Sequence, residues 1–427
     1  MDKAIQFLEA HKLRASDVDM EHLVTMFHSE MSKGLTGEIS SLRMIPTYIE
    51  AENEFLTDVP VIAIDAGGTN FRTSLMTFNS NGRLDIGKIS VYGMPGLDRE
   101  VSKDEFFSVM AGNIGSISGK SSRIGFCFSY PTEILPEKDG ILLQFCKEVQ
   151  APEVVGQLIG RSLLNALGTP EKKIVLLNDT VATLLAGKSA SFGKSYDSFI
   201  GYILGTGTNT CYIEANRNIL KTKNLHPGRS MIINIESGNF GKAQRSDIDM
   251  EFDNSTMNPG QYTFEKMFSG GYFGGLCLTA LKRAATEGLF SREIVLRLNN
   301  IADLSSNEVS AFVSKTQSEK GVLEGCFMEK TDMETCSLII NSLIGRAAKL
   351  VAANLAAVVL KTDRGKSQGK PILITIDGTT FYKLPNLKKQ FERYFDEYLS
   401  GERKRYVTFT EVEQSSLIGA GLAALID

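Results

Sequence analysis

Two glycine-rich turns, each set between two strand-like runs, constrain the fold of this chain most strongly. The apolar run 59–64 ends in the turn 65–70 (DAGGTN), after which a second strand pattern begins. The run 199–204 ends in the turn 205–209 (GTGTN), which a further strand pattern also follows. Both turns end in Gly-Thr-Asn. The repeated strand–turn–strand unit predicts a duplicated α/β domain with a site between its two halves.

The order of elements around these turns excludes two common phosphate-binding units. In dinucleotide-binding and P-loop units the glycine turn leads into a helix, whereas here it leads into a strand. Gly119-Lys120-Ser121 does not form a P-loop, because the glycine that the motif requires upstream is replaced by Ile114. A looser third copy of the unit is the strand-like run 371–376 followed by residues 377–380 (DGTT).

Composition narrows the class of protein further. The 427 residues allow roughly two or three domains, and 42% hydrophobic with 22% charged residues is typical of a globular chain. A net charge of −4 gives no electrostatic footprint for nucleic acid or an anionic membrane. Six scattered cysteines without a CxxC spacing favour a reducing compartment.

Segments outside the turns predict helices. Residues 1–50 have helical apolar spacing and end in a proline-containing extended connector. The apolar stretch 337–360 is interrupted by polar residues, which predicts a buried or amphipathic helix rather than a membrane span.

The start of the chain mixes charged and apolar residues and does not have the pattern of a secretory signal. We therefore expect a cytoplasmic protein.

The first glycine turn has residues suited to phosphate chemistry. Glycines allow backbone N–H groups to approach phosphate oxygens without interference from a Cβ atom. Asp65 stands just before this turn, where a carboxylate can hold Mg²⁺ through water. Arg72 follows it and is placed to approach a phosphate. The alternative is an ordinary tight hairpin with an exposed aspartate.

The triplet Asn178-Asp179-Thr180 joins the end of an apolar strand to a helical pattern. An aspartate there is more commonly a helix N-cap, but it can also be a general base that faces a crevice. If Thr180 is the N-cap instead, Asp179 is free to act as that base.

Two glutamates complete a candidate polyol site. Glu236 follows the strand-like run 231–235, and Glu265 lies in a predicted helix, where an exposed surface position is the default. Together with Asn178, Asp179 and Asn209 they supply carboxylates and amides that pair with hydroxyl groups. All four histidines lie outside these segments, so the sequence predicts neither a zinc site nor a Ser-His-Asp hydrolase.

These features together resemble the hexokinase family, within the actin-like ATPase and sugar-kinase superfamily. The resemblance is an ordered series along nearly the whole chain. Its segments are the connector 44–48, the first phosphate motif 65–72, the sugar segment from 125–131 through Lys147, the catalytic triplet 178–180, the second phosphate motif 205–209, the later sugar contacts 235–241 and 258–270, the adenosine motif 376–380 and the closing helix 419–421.

The resemblance implies a role for each matched position at the sugar end of the site. It implies that Asp179 is the base that takes the proton of the sugar 6-hydroxyl, and that Lys147 and Arg72 assist catalysis. The implied sugar-binding residues are Ser129, Cys146, Lys147, Asn178, Asp179, Asn209, Glu236 and Glu265.

The resemblance also implies ATP as co-substrate and Mg²⁺ as cofactor, with the metal held by Asp65 through water. The implied ATP-binding residues are Asp65, Gly67, Gly68, Thr69, Asn70, Arg72, Thr206, Gly207, Asp377, Gly378, Thr379, Ser416 and Gly419.

Three positions depart from the pattern of the family. Cys146 stands where a threonine is usual, Tyr262 replaces a glutamine, and Ser237 replaces a tryptophan. The first two lie at the sugar end. Sugar preference is therefore open between glucose, mannose and fructose.

The implied fold is α/β and two-lobed, an actin-like ATPase (ribonuclease H-like) fold with duplicated βββαβα-type domains around a central cleft. The predicted small lobe comprises residues 61–188 and 416–427, and the large lobe comprises residues 1–60 and 189–415. Closure of the lobes on the sugar would exclude water from phosphoryl transfer, which would be the first step of glycolysis. The expected partners are a hexose and ATP, with no nucleic acid and no membrane, in a monomer or homodimer.

Two alternatives belong to other classes of protein. A sugar-binding regulator would keep the fold and lose turnover. The chain has Asp179, Asp65 and both glycine turns, which argues against this alternative. An actin-like filament ATPase would share the hairpin turns but would not need the Asn178, Asp179, Glu236 and Glu265 set.

Overall fold

The structure of this chain is a computed structural model, which describes residues 2–50, 53–145, 149–314, 321–327 and 329–426. The predicted sugar-binding residues Cys146 and Lys147 lie outside the described residues.

The described residues form strands and helices that are interspersed along the chain, as in an α/β protein. The strands are β1 (Ile45–Pro46), β2 (Pro60–Ala66), β3 (Asn70–Phe78), β4 (Leu84–Ile86), β5 (Ser90–Gly93), β6 (Arg123–Phe128), β7 (Thr132–Ile134), β8 (Gly140–Leu142), β9 (Lys173–Leu177), β10 (Ser198–Leu204), β11 (Thr208–Ala215), β12 (Ser230–Asn234), β13 (Ile372–Asp377) and β14 (Val407–Thr410). The α-helices are α1 (Asp2–Ala10), α2 (Met20–Thr36), α3 (Lys103–Ser118), α4 (Ile159–Ala166), α5 (Asp179–Ala190), α6 (Asp247–Ser255), α7 (Phe273–Thr286), α8 (Arg292–Asn299), α9 (Ser306–Ser314), α10 (Val322–Cys326), α11 (Lys330–Thr362), α12 (Thr379–Lys383), α13 (Leu387–Tyr398) and α14 (Ser415–Ala423).

The two large sheets repeat one strand order. One sheet has the order β4-β3-β2-β6-β9, and β5 also pairs with β3; the other has β12-β11-β10-β13-β14, with β1 outside β12. In each sheet the first two of these pairings are antiparallel and the last two are parallel. The prediction of a duplicated α/β unit is therefore confirmed, and both glycine turns are tips of equivalent hairpins.

The predicted strand at residues 88–92 is confirmed as β5, and the structure has one further short strand before it. Both β4 and β5 pair with β3. Strand β4 has only three residues and is mostly exposed, so it carries no hydrophobic pattern of its own. Its pairing with Met76–Phe78 defines it, which is a tertiary contact that local sequence does not encode.

The third copy of the unit also differs from the other two. Strand β13 ends at Asp377 and the chain continues into helix α12, not into another strand. This follows from topology, because β13 is parallel to both of its neighbours, β10 and β14. Parallel neighbours need a crossover connection, for which a helix is usual.

Helices α5 and α14, which lie between the two sheets, hold the halves together. Helix α5 packs on β10 and β13, α14 packs on β2 and β6, and the two helices pack on each other. A Cβ atom at Gly419 would lie 1.9 Å from the carbonyl oxygen of Ala182, and one at Gly125 would lie 1.7 Å from that of Ala420. Only glycine permits this close backbone approach. Helix α5 thus follows a strand of the first sheet and packs on the second; the lobe boundary at residue 188 remains a prediction.

The predicted helix at residues 337–360 is part of the longer helix α11, which forms the centre of the larger core. Among the helices of the described residues, α11 is the one long and apolar enough to cross a membrane. However, 89% of its most apolar window is buried inside the protein. Arg346 on this helix donates two hydrogen bonds to the Asp249 carboxylate, at 2.7 and 2.6 Å, so its buried charge is paired.

Candidate active site

A cavity of about 860 Å³ lies where the two glycine turns and the carboxyl ends of the central strands meet. The predicted site residues that line it are Asp65, Gly67, Gly68, Arg72, Ser129, Asn178, Asp179, Thr206, Gly207, Asn209, Glu236, Glu265 and Ser416. The structure therefore brings together, from both sheets, most of the residues that the sequence singled out.

The N-cap of helix α5 is Asn178, contrary to both alternatives considered from the sequence. The backbone N–H of Thr180 donates to Asn178 Oδ1 at 2.9 Å, and Asn178 has the extended backbone of an N-cap. Asp179 is consequently the first helical residue. Its Oδ1 also accepts from the Thr180 N–H, at 2.8 Å, which leaves its other oxygen to face the cavity.

Burial, together with the neighbouring charge of Asp65, raises the pKa of Asp179 to about 6. The Thr180 N–H opposes this shift, while Glu236 and Asp377 add to it. The carboxylate thus becomes a stronger base than an exposed aspartate and still ionises near neutral pH. Such a shift within a cavity is typical of a residue that moves protons.

An amide and carboxylate cluster forms the wall beside Asp179. The Nδ2 group of Asn209 lies 2.7 Å from Asn234 Oδ1, 3.2 Å from Glu236 Oε1 and 3.3 Å from Asn178 Oδ1. Asn234 Nδ2 donates to Glu236 Oε1 at 2.8 Å. These contacts fix the orientation of each amide, and all four residues line the cavity.

Glu236 has an unusual backbone, with φ 59° in the left-handed region. A non-glycine residue in that region stores strain that the surrounding structure must compensate. Burial raises the pKa of Glu236, while the Asn234 hydrogen bond and the positive charge of Arg43 oppose the rise.

Glu265 lies on the opposite side of the second turn. It begins a three-residue 3₁₀ segment, not an α-helix, and its Oε2 accepts from the Thr208 N–H at 2.8 Å. The next residue, Lys266, is buried and donates to Asp253, Thr256 and the Asn258 carbonyl. This lysine holds the loop that carries Glu265 against the large core. The half-buried Glu265 is thus not the exposed surface residue that was the default expectation.

Arg72 connects the first turn to the last helix. It donates to the Asp65 carboxylate, and its Nη1 donates to Gln414 Oε1 at 2.7 Å. Burial raises the pKa of Asp65, the Arg72 charge opposes this, and Asp377 adds to it. Gly67 and Gly68 line the cavity, and a Cβ at Gly68 would meet no atom within 4 Å. Neither protein packing nor a left-handed φ therefore requires glycine at position 68.

Residues 376–380, the predicted adenosine motif, contact the second glycine turn. Thr380 Oγ1 donates to the Gly205 carbonyl at 2.8 Å, and a Cβ at Gly378 would lie 2.3 Å from the Leu204 backbone. Asp377 accepts from Ser415 Oγ at the start of α14. Asp377, Gly378 and Thr379 do not line the cavity, but they stand directly behind the turn that does.

Three further predicted residues also lie outside the cavity lining. Thr69 and Asn70 support the first turn, where the Thr69 carbonyl accepts from Met94 N–H at 3.1 Å and the Asn70 carbonyl accepts from Gly67 N–H at 3.0 Å. Gly419 is buried against α5, where its role in the structure is helix packing. Nucleotide contacts for these residues remain predictions.

Several lining residues were not identified from the sequence. Asn234 is two residues before Glu236, and the two-residue period of a strand would have placed both on one face. Arg43 had no comparable signal, because it reaches the cavity from a distant segment. The same holds for Gln414, which does not line the cavity but accepts a hydrogen bond from Arg72. Tyr262 was noted only as a departure; it lines the cavity with φ 52°.

The donor set around the first turn suits a divalent cation that arrives with phosphate. Asp65, Asp179 and Asp377 are close enough for their charges to influence one another, and Arg72 balances one of them. Among the described residues no group of three or more Asp, Glu, His or Cys side chains could hold a metal by itself. This fits Mg²⁺, which prefers one or two carboxylates completed by phosphate oxygens and water.

Two matching sheets around one cleft, with a helix of each half packed between them, define a two-lobed actin-like kinase fold. It agrees with two solved hexokinase structures. One is a Schistosoma mansoni hexokinase complexed with glucose, with a TM-score of 0.80 and 23% identity, covering 99% of this chain and 98% of that one. The other has a TM-score of 0.81 and 21% identity, and each chain is covered completely.

The chain belongs to the hexokinase family. A family model described as Hexokinase matches residues 199–426, more than half of the chain, and a second model with that description matches residues 6–189. Human hexokinase-3 is 29% identical over 426 residues, which is 93% of this chain and 44% of the relative. The chain thus spans less than half the length of the curated relatives that it matches.

Proposed function

We propose that this chain is an ATP-dependent hexokinase that phosphorylates the 6-hydroxyl of glucose, with some tolerance for mannose or fructose. The products are hexose 6-phosphate and ADP, as in the first step of glycolysis. The observation that carries the proposal is the position of Asp179. Its carboxylate, with a pKa raised to about 6, lies between a cluster of hydroxyl-binding groups and a glycine turn suited to phosphate.

Asp179 acts as the general base. It accepts the proton of the sugar 6-hydroxyl while that oxygen attacks the γ-phosphorus of ATP, and the bond to the ADP oxygen breaks. The N-terminal turn of α5 supports the ionised carboxylate through the Thr180 N–H. Arg72 is the cation that faces the phosphates. Lys147 is assigned its assisting role by the family resemblance alone.

The polyol end of the site is the cluster around Asn209. Asn178, Asn209, Glu236 and Glu265 bind the remaining sugar hydroxyls, since amides and carboxylates supply both donors and acceptors. Ser129 lines the same cavity. Cys146 is the proposed neighbour of Lys147, in place of the usual threonine, and is a weaker hydrogen-bond partner.

The phosphate end is formed by the two glycine turns. The open space beside Gly68 supports close approach of a phosphate to the backbone. Thr206, Gly207 and Ser416 line the opposite side of the cavity. Asp65 would hold Mg²⁺ through water, and the metal, when bound, neutralises the phosphate charge. The adenosine would lie beside the segment 377–379 and the start of α14, near Gly419.

Closure of the two lobes would exclude water, which otherwise wastes ATP by hydrolysis. Helices α5 and α14 cross between the sheets, so they are the elements about which the lobes would rotate. We further propose a cytoplasmic monomer or homodimer that acts without nucleic acid or a membrane.

The test is ADP formation from MgATP with glucose, mannose, fructose, N-acetylglucosamine or no sugar. The proposal predicts sugar-dependent ADP, with glucose the best substrate. ADP formed equally without sugar would favour a filament-type ATPase instead. Tight glucose binding without ADP would favour a sugar-binding regulator.

A further inference from the structure

Arg43 and Glu236 lie at opposite positions on two paired segments of the chain. Strand β1 pairs antiparallel with β12, with Ile45 opposite Asn234. The ladder ends with the Met44 N–H, which donates to the Ile235 carbonyl at 3.3 Å. Arg43 directly precedes Met44, and Glu236 directly follows Ile235. Both residues line the cavity.

The Arg43 side chain is an exposed cation. Within the described part of the chain, its guanidinium has no hydrogen bond and no ion pair, so its charge is not neutralised by another side chain there. Its backbone carbonyl accepts from Lys221 Nζ at 2.6 Å, which fixes the segment without using the guanidinium. Its position on the connector is therefore held while its charge remains available to the cavity.

Asp179 and Glu265 are carboxylates of the described residues that line the same cavity as Glu236. Asp179 approaches from α5, and the charges of the two carboxylates interact. Glu265 approaches from behind the second turn, where a Cβ at Gly238 would lie 3.0 Å from its Oε2. Burial raises the pKa of Glu236, and the Asn234 hydrogen bond and the positive charge of Arg43 lower it.

The hydrogen bonds of Glu236 use one of its two carboxylate oxygens. Its Oε1 accepts from both Asn234 Nδ2 and Asn209 Nδ2. A protonated carboxyl group can keep both of these bonds with the proton on Oε2, but Oε2 then becomes a donor. Protonation would therefore remove the acceptor that Oε2 offers to a sugar hydroxyl.

We propose that Arg43 is a positioning residue that keeps Glu236 an ionised acceptor for the sugar hydroxyls. This role rests on the proposed function of the cavity as a sugar site. It extends that function by assigning the pH tolerance of sugar binding to Arg43, which lies shortly before β1.

The test compares glucose affinity by titration calorimetry, without ATP, at about pH 6 and about pH 8. Arg43→Gln should weaken glucose binding by up to about tenfold at the lower pH and by much less at the higher pH. Arg43→Lys should restore most of the affinity. Arg229→Gln is the matched control, because it removes an exposed arginine that pairs with Glu50 of the same connector. In a Glu236→Gln background, Arg43→Gln should have no further effect.

An equal loss at both pH values would overturn the proposal, since it would indicate a direct contact of the guanidinium with the sugar. Unchanged affinity in Arg43→Gln would also overturn it. ADP formation measured on the same samples separates the two claims. Wild-type protein that binds glucose but forms no ADP would contradict the kinase function, while the calorimetry still decides the role of Arg43.

Discussion

Arg72 and Gln414 are 342 positions apart in sequence and are joined by a 2.7 Å hydrogen bond. Arg72 belongs to the hairpin of the first glycine turn, and Gln414 precedes the last helix with φ 58°. The same guanidinium also donates to Asp65. The orientation of Arg72, which we propose faces the ATP phosphates, therefore depends on a segment near the end of the chain.

Gln414→Ala should raise the KM for ATP without changing the KM for glucose. Loss of one hydrogen bond to a charged group at an exposed position predicts an increase of about three- to tenfold. The unchanged glucose KM is the internal control. If both constants rise together, the bond maintains the whole cleft and does not act specifically on Arg72.

The raised pKa of Asp179 predicts an acid limit to activity. A general base acts only when deprotonated, so kcat/KM should be full above about pH 7 and fall about tenfold per unit below pH 6. The measurement is kcat/KM for glucose across this range. A profile that is flat down to about pH 4 would show that Asp179 does not titrate in the rate-limiting step.

The same raised pKa predicts that the ionised base destabilises the fold. The folded protein binds the proton of Asp179 more tightly than the unfolded chain does, so its contribution to stability increases as pH falls from about 6 toward the ordinary value of 3.8. Asp179→Asn should therefore raise the melting temperature at pH 7. Near pH 3.5 the gain should disappear. A lower melting temperature at pH 7 would contradict this interpretation.

Gly419→Ala should destabilise the protein severely, because its new Cβ would collide with the backbone of α5 at Ala182. Overpacking of this kind costs roughly 1–3 kcal/mol or more. Gly112→Ala is the matched control, since Gly112 is exposed within α3 and its Cβ would meet no atom within 4 Å. That change should stabilise the helix by about 0.5–1 kcal/mol. Chemical denaturation of the two variants measures both effects, and equal stability would contradict the tight helix contact.

Much of the site could be predicted because its signals are local. The turns 65–70 and 205–209 are glycine-rich segments directly after apolar strands, and Asp179 and Glu236 each follow a strand end. Parallel strands bring such ends to one edge of a sheet, so residues far apart in sequence meet at a place that the pattern indicates.

The features that could not be predicted depend on tertiary contacts. Strand β4 exists through its pairing with β3, and Gln414 reaches Arg72 only in the folded chain. The choice of Asn178 as the N-cap depends on which of three adjacent polar side chains is directed at the helix, and composition favours none of them. The packing of α5 on the second sheet likewise has no local sequence signal.

The most direct test of the account is glucose 6-phosphate formation by Asp179→Asn, measured together with glucose binding by calorimetry. The substitution keeps the size and polarity of the side chain and removes the base. The account predicts a kcat lower by about 10²–10⁴-fold with glucose affinity nearly unchanged. Near-normal kcat in a variant that binds glucose would contradict the assignment of Asp179 as the base.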